Sequence, residues 1–164
     1  MTIQDWGAIG EIVGGVAVVV TLIYLAFQIR QNTRAIRLST SHAASEDIRN
    51  MYALMAEQTD LSEAIHKGSS DPGSISGAEK MRYWGFNGYF LYAFENAYIQ
   101  LTEEALDSRH WSGMKRMMID YTSVPGFKEY WPNRKHWYSE DFQHFMDSEI
   151  LETDAEEVPL PGEY

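Results

Sequence analysis

Apolar and polar positions interleave along most of this chain, but the interleaving stops between Gly10 and Arg30. From Ile12 to Phe27 no residue is charged. A helix from Trp6 to Ile29 would measure roughly 36 Å at about 1.5 Å per residue, and a hydrocarbon core of about 30 Å needs about 20 residues. The pattern therefore predicts one membrane-spanning helix. A cleavable signal peptide fits less well, because no Lys or Arg precedes the run and no small-x-small site follows it before Arg30. A buried helix of a soluble domain is the remaining competitor.

Within the run, small and weakly polar residues fall on one line. Gly7, Gly10, Gly14, Ala17, Thr21, Tyr24 and Gln28 recur at alternating steps of three and four, a seam of period 3.5. Gly10 and Gly14 form a G-x-x-x-G pair, and small residues let helix backbones approach closely where lipid supplies no hydrophobic drive. The seam predicts a helix-packing face, for another protein's span or for a second copy. Glu11 lies beside it. One reading is a shallow residue marking the outer membrane boundary; the other is an intramembrane acid with a role, at a pore mouth or bonded to a partner span.

Arg30, Arg34 and Arg37 follow the span, whereas no Lys or Arg precedes it. The positive-inside rule places the N-terminus outside and the bulk of the chain in the cytoplasm. The same three arginines make a basic face suited to lipid headgroups.

Beyond the span the pattern stays helical. Arg30 to Glu57 contains no Gly or Pro, so the span is expected to continue as a long helix, loosened at Ser39-Thr40-Ser41. Ile36, Ala43, Ala44, Ile48, Met51, Met55 and Leu61 mark its apolar side. Thr59 or Asp60 would cap a short helix ending before Gly68, and Ser76 with Glu79 reads as a capping box. The helix that follows, to about Leu101, carries Met81, Tyr83, Trp84, Phe86, Tyr89, Phe90, Leu91, Tyr92, Phe94 and Tyr98 nearly all round. Such a helix is expected in the core. Glu95 sits among these aromatics as a buried polar group that needs a partner: an arginine, a tyrosine hydroxyl or a backbone amide. Asp107-Ser108 caps a helix through Tyr121, Pro125 opens another from Gly126 to Tyr138, and Ser139 caps a last one through Ile150.

The expected fold is all-α: one N-terminal transmembrane helix continuing into the cytoplasm, plus a small bundle of about five helices. The divisions are 1–29 for the outer N-terminus and span, 30–58 for a juxtamembrane helix, 59–151 for the helical domain and 152–164 for an acidic tail. Net charge is −11, and from Glu140 onward nine acidic residues face no Lys or Arg. That balance argues against a nucleic-acid partner. The absence of cysteine removes disulfides and every thiolate-based metal or redox site.

No phosphate-binding, dinucleotide-binding, serine-hydrolase or zinc-protease motif occurs. His42 and Glu46 stand at i and i+4, and His136, Glu140 and His144 repeat that step, but the second set crosses the cap at Ser139. No metal, cofactor or catalytic residue is therefore expected.

The runs VVVTLIYLAFQIRQNTRA (Val18 to Ala35), FEN (from Phe94) and PGFKEYW (Pro125 to Trp131) resemble a family of uncharacterised bacterial proteins with one N-terminal inner-membrane span and a helical cytoplasmic part. The resemblance implies a location in the bacterial inner membrane and carries over no site. The expected function is that of a non-enzymatic accessory subunit or assembly factor of a membrane complex, acting through span packing and cytoplasmic helix contacts. The alternative is a homo-oligomeric channel or sensor with Glu11 near the pore mouth.

Overall fold

A computed structural model describes residues 3–152, apart from the side chains of Asp5, Ala8 and Ile9. The acidic tail from Thr153 lies outside the described residues. Among the described residues every regular element is helical and no strand occurs. The fold is all-α.

α1 runs from Ile3 to Glu57, 55 residues, and the chain divides after Ser39 into two compact units. The expected loosening at Ser39-Thr40-Ser41 does not occur, since helical geometry continues through all three. Ser45 Oγ donates to the Ser41 carbonyl at 2.9 Å, which returns a small polar side chain to its own helix instead of breaking it.

The second unit contains the remaining turns of α1, then α2 (Thr59–Ser70), α3 (Gly77–Thr102), α4 (Ser108–Thr122), α5 (Pro125–Arg134) and α6 (Glu140–Phe145). A 3-10 turn at Lys135–Trp137 joins α5 to α6, and a π turn at Met146–Ile150 ends α6. Ala44 and Met51 are buried in this unit's core, with Ile48 and Met55 packed against it, while Ile36 is exposed.

α3 supplies the centre of that core through Tyr83, Phe86, Phe90, Leu91, Phe94 and Ala97. It is not covered all round as expected: Met81 is 78 % exposed, Tyr92 53 % and Tyr89 39 %. The neighbours close over one broad face only. On that face the rings are in contact. Phe90 stacks on Tyr121 with centroids 3.8 Å apart, Tyr98 on Phe145 at 4.7 Å, and Trp131 on Tyr138 at 5.7 Å. Such pairs contribute about 0.5–1.5 kcal/mol each beyond their burial.

Several element ends differ from the sequence reading. α2 passes through Gly68 to Ser70, because Gly68 is itself buried and its missing side chain admits the Tyr83 ring and Ile75. Its N-cap is Gln58; the Asp60 carboxylate is held instead by Arg82 at 2.8 Å and the Leu61 amide at 3.0 Å. The capping box of α3 does not form, since Ser76 makes no side-chain cap bond and Glu79 pairs with Lys67 at 3.1 Å. α5 ends at Arg134 and not at Tyr138. It passes through Pro132, and the chain then tightens into the 3-10 turn at Lys135–Trp137.

Other ends agree. Asp107 caps α4 by accepting from the Arg109 amide at 2.9 Å. Bonds from the Arg109 guanidinium and amide lower its carboxyl to about 2. Pro125 occupies the first turn of α5.

The tightest contact joins α2 to α5. Gly126 faces the Gly68 carbonyl and the Tyr83 hydroxyl so closely that any Cβ there would collide with both. Gly126→Ala is expected to cost about 1–3 kcal/mol, the usual range for overpacking. By contrast, Gly85 has nothing within 4 Å of an added Cβ, so Gly85→Ala should stabilise by up to about 1 kcal/mol through helix propensity. Denaturant unfolding followed by near-ultraviolet circular dichroism measures both; equal effects would contradict the packing.

Asp147 in the π turn accepts from Trp131 Nε1 at 2.7 Å and from Lys135 Nζ at 3.0 Å. Burial pushes its carboxyl up, but the indole and ammonium outweigh that and leave it lowered. A carboxylate depressed in the folded state contributes stability that is present above its unfolded value, about 3.9, and lost as pH falls through the folded one. Asp147→Asn should therefore be less stable than the parent at pH 6 and lose that deficit below about pH 4. The checks are unfolding midpoints across that range.

Candidate functional site

The residues singled out on the span share one helix. α1 contains a stretch long and apolar enough to cross a membrane, with a mean hydropathy of 2.3 over 18 residues and none of that window buried. Val13, Val16, Val20, Ile23 and Phe27 are 52 to 62 % exposed among the described residues.

The seam Gly7, Gly10, Gly14, Ala17, Thr21, Tyr24 and Gln28 is exposed along its length. A Cβ added at Gly7, Gly10 or Gly14 would meet nothing within 4 Å. Its polar members bond within the helix. Thr21 Oγ1 donates to the Ala17 carbonyl at 2.8 Å, and Gln28 Nε2 to Tyr24 Oη at 2.9 Å. Hydroxyl and amide groups satisfied inside their own helix can enter an apolar environment at reduced cost. What is left outward is a groove of backbone at the glycines. Glu11 is exposed beside it, and so are Arg30, Arg34 and Arg37 beyond its end.

Glu95 belongs to the second unit and stands apart from this face. It is half-buried on α3, where its Oε1 accepts from the Ser139 amide at 2.7 Å. A carboxylate from α3 thus satisfies a backbone donor at the N-cap of α6, where amides have no helical partner. That fastens the last helix to the central one.

The buried tyrosines are poor acid–base groups. Burial raises Tyr83, Tyr121, Tyr130 and Tyr138 above the usual phenol value. Each hydroxyl stays protonated at neutral pH. Tyr121 Oη donates to Asn87 Oδ1 at 3.2 Å, and Asn87 Nδ2 to the Tyr83 carbonyl at 2.8 Å. Asn87 is fully buried, and sequence periodicity gave no sign of it because an apolar face accommodates an amide only when its partners are known.

His136 sits in the 3-10 turn and His144 in α6, on opposite sides of the Ser139 cap. No group of three or more His, Asp or Glu residues placed to hold a metal occurs among the described residues. Ser45 Oγ lies 3.4 Å from His110 Nε2, but its proton goes to Ser41, so the pair is not arranged as a nucleophile and its base.

A second feature escaped the sequence reading. Arg134 is held between two indoles, its Cζ 4.4 Å from the Trp84 ring centroid and 4.6 Å from that of Trp137. The two tryptophans are 53 residues apart on α3 and on a turn without helical period, so spacing alone carried no signal. They line a groove of about 390 Å³ with Lys80, Met81 and Gly85. Compared with protein-family models, curated proteins and solved structures, the chain matches none.

Replacing Glu95 tests its fastening role. Glu95→Ala leaves the Ser139 amide without its acceptor and should cost about 1–3 kcal/mol. Glu95→Gln keeps an oxygen there and should recover most of that loss, read as denaturant midpoints.

Proposed function

We propose that this protein is a non-enzymatic, single-span protein of the bacterial inner membrane. Its N-terminus faces outward and its helical unit the cytoplasm, and it serves as an accessory subunit or assembly factor of a membrane complex. One observation carries the reading: the apolar stretch of α1 is unburied among the described residues, while the second unit has a core of buried aromatics of its own. An apolar helix with that much exposed surface has a task in lipid or against another helix.

Orientation rests on Arg30, Arg34 and Arg37 following the span with no basic residue before it. The bacterial location rests on the resemblance of Val18 to Ala35 to spans of that family. The open backbone at Gly7, Gly10 and Gly14 supports helix packing as the mode of contact.

Purification from the native membrane in mild detergent, with mass and composition determined, tests the reading. A particle containing this chain and a different membrane protein is expected. A strict monomer with no companion would overturn it, and a homo-oligomer would favour the channel alternative, in which ion flux depends on Glu11. Gly10→Leu combined with Gly14→Leu should abolish association, because two isobutyl groups prevent close backbone approach. Unchanged assembly in that variant would remove the seam from the account.

A further inference from the structure

We propose that the acidic segment 153–164 of this chain docks, as a strap, in the groove formed by Lys80, Met81, Trp84, Gly85, Arg134 and Trp137.

The groove is built around one cation. The Arg134 guanidinium lies between two indole faces, which hold its plane and favour its charge. Among the described residues it donates to the Asn133 carbonyl at 3.0 Å through one nitrogen, and a guanidinium carries five donors in a planar fork suited to a carboxylate. Lys80 lies 5.1 Å over the Trp84 ring and pairs with Glu129 at 2.9 Å. Two cations against one carboxylate leave the rim net positive. The rest is apolar and open: Met81 is 78 % and Trp137 52 % exposed, and Gly85 has space above its backbone.

The segment TDAEEVPLPGEY complements each of these features. Its acids Asp154, Glu156, Glu157 and Glu163 meet no Lys or Arg within it. Its Val158-Pro159-Leu160-Pro161 is a proline-rich sequence, a class of ligand that aromatic-lined grooves recognise.

Connectivity brings the two together. Asp147 is bonded to Trp131 and Lys135, so the π turn ending at Ile150 departs from beside the turn that carries Trp137. Twelve extended residues reach roughly 40 Å. A tether this short gives an effective concentration on the order of millimolar, enough for one charge-assisted contact and a proline–indole contact to hold.

The chain has no cysteine, so Met81→Cys with Leu160→Cys introduces the only two thiols into the full-length protein. Mild oxidation in detergent is expected to close a disulfide within one chain. Adding Glu156→Lys and Glu157→Lys, or Arg134→Ala, should slow closure by roughly tenfold or more, the loss expected for a charge-assisted bond. Closure unaffected by these changes would overturn the proposal. A disulfide formed only between chains would overturn it too, by assigning the groove to a second copy. Indole resonances supply an independent reading in the cysteine-free chain. Removing residues 153–164 should shift the Trp84 and Trp137 signals and leave Trp111 and Trp131 in place. Trp84 and Trp137 signals that ignore the removal but move when anionic lipid is added would assign the groove to headgroups and contradict the strap.

Discussion

The uncharged surface of α1 between Ile12 and Phe27 is the constraint on which the rest depends. Ten large apolar side chains there, Ile12, Val13, Val16, Val18, Val19, Val20, Leu22, Ile23, Leu25 and Phe27, are between 45 and 67 % exposed. Covering such a side chain fully gains about 1.5–3 kcal/mol. Even half of that, summed over ten, is on the order of 10 kcal/mol, comparable with the whole stability of a domain, about 5–15 kcal/mol. That surface is long and apolar enough to cross a membrane, and Thr21 within it and Gln28 just beyond it are bonded within the helix.

The second unit has a core of its own residues. That core is built around α3, whose aromatic face meets Tyr121, Tyr138 and Phe145, with Phe127 packed edge-on against Tyr121. Close approach of α2 and α5 depends on two glycines, Gly68 and Gly126. The last helix is held at both ends by carboxylates: Glu95 reaches the Ser139 amide at its start, and Asp147 ties its π turn to Trp131 and Lys135. Ion pairs at the surface, such as Lys80 with Glu129, contribute little beside these contacts.

What could be read from the chain followed the range of the physics involved. Local signals were legible. The apolar run and its length, Asp107 as a cap, Pro125 at a first turn and the helical character throughout all rest on residues close in sequence. Tertiary competition was not legible. Asp60 and Glu79 have cap chemistry, yet Arg82 and Lys67 take their carboxylates. Gly68 looks like a stop signal, but burial against Tyr83 makes it a packing residue. Met81, Tyr89 and Tyr92 look like core, yet all three stay exposed among the described residues, although the Tyr92 ring meets that of Tyr138. The Arg134 clamp joins residues far apart in sequence, so only the fold reveals it. The seam, Glu11 and the three arginines are exposed on α1.

The central claim is that α1 lies across a bilayer, and alkaline carbonate extraction of native membranes tests it most directly. High pH strips peripheral proteins held by charge or by other proteins and leaves helices embedded in hydrocarbon. The account predicts that the full-length chain stays with the membrane pellet. Its release into the supernatant would contradict the account, because the exposed surface of α1 would then be covered by something other than lipid.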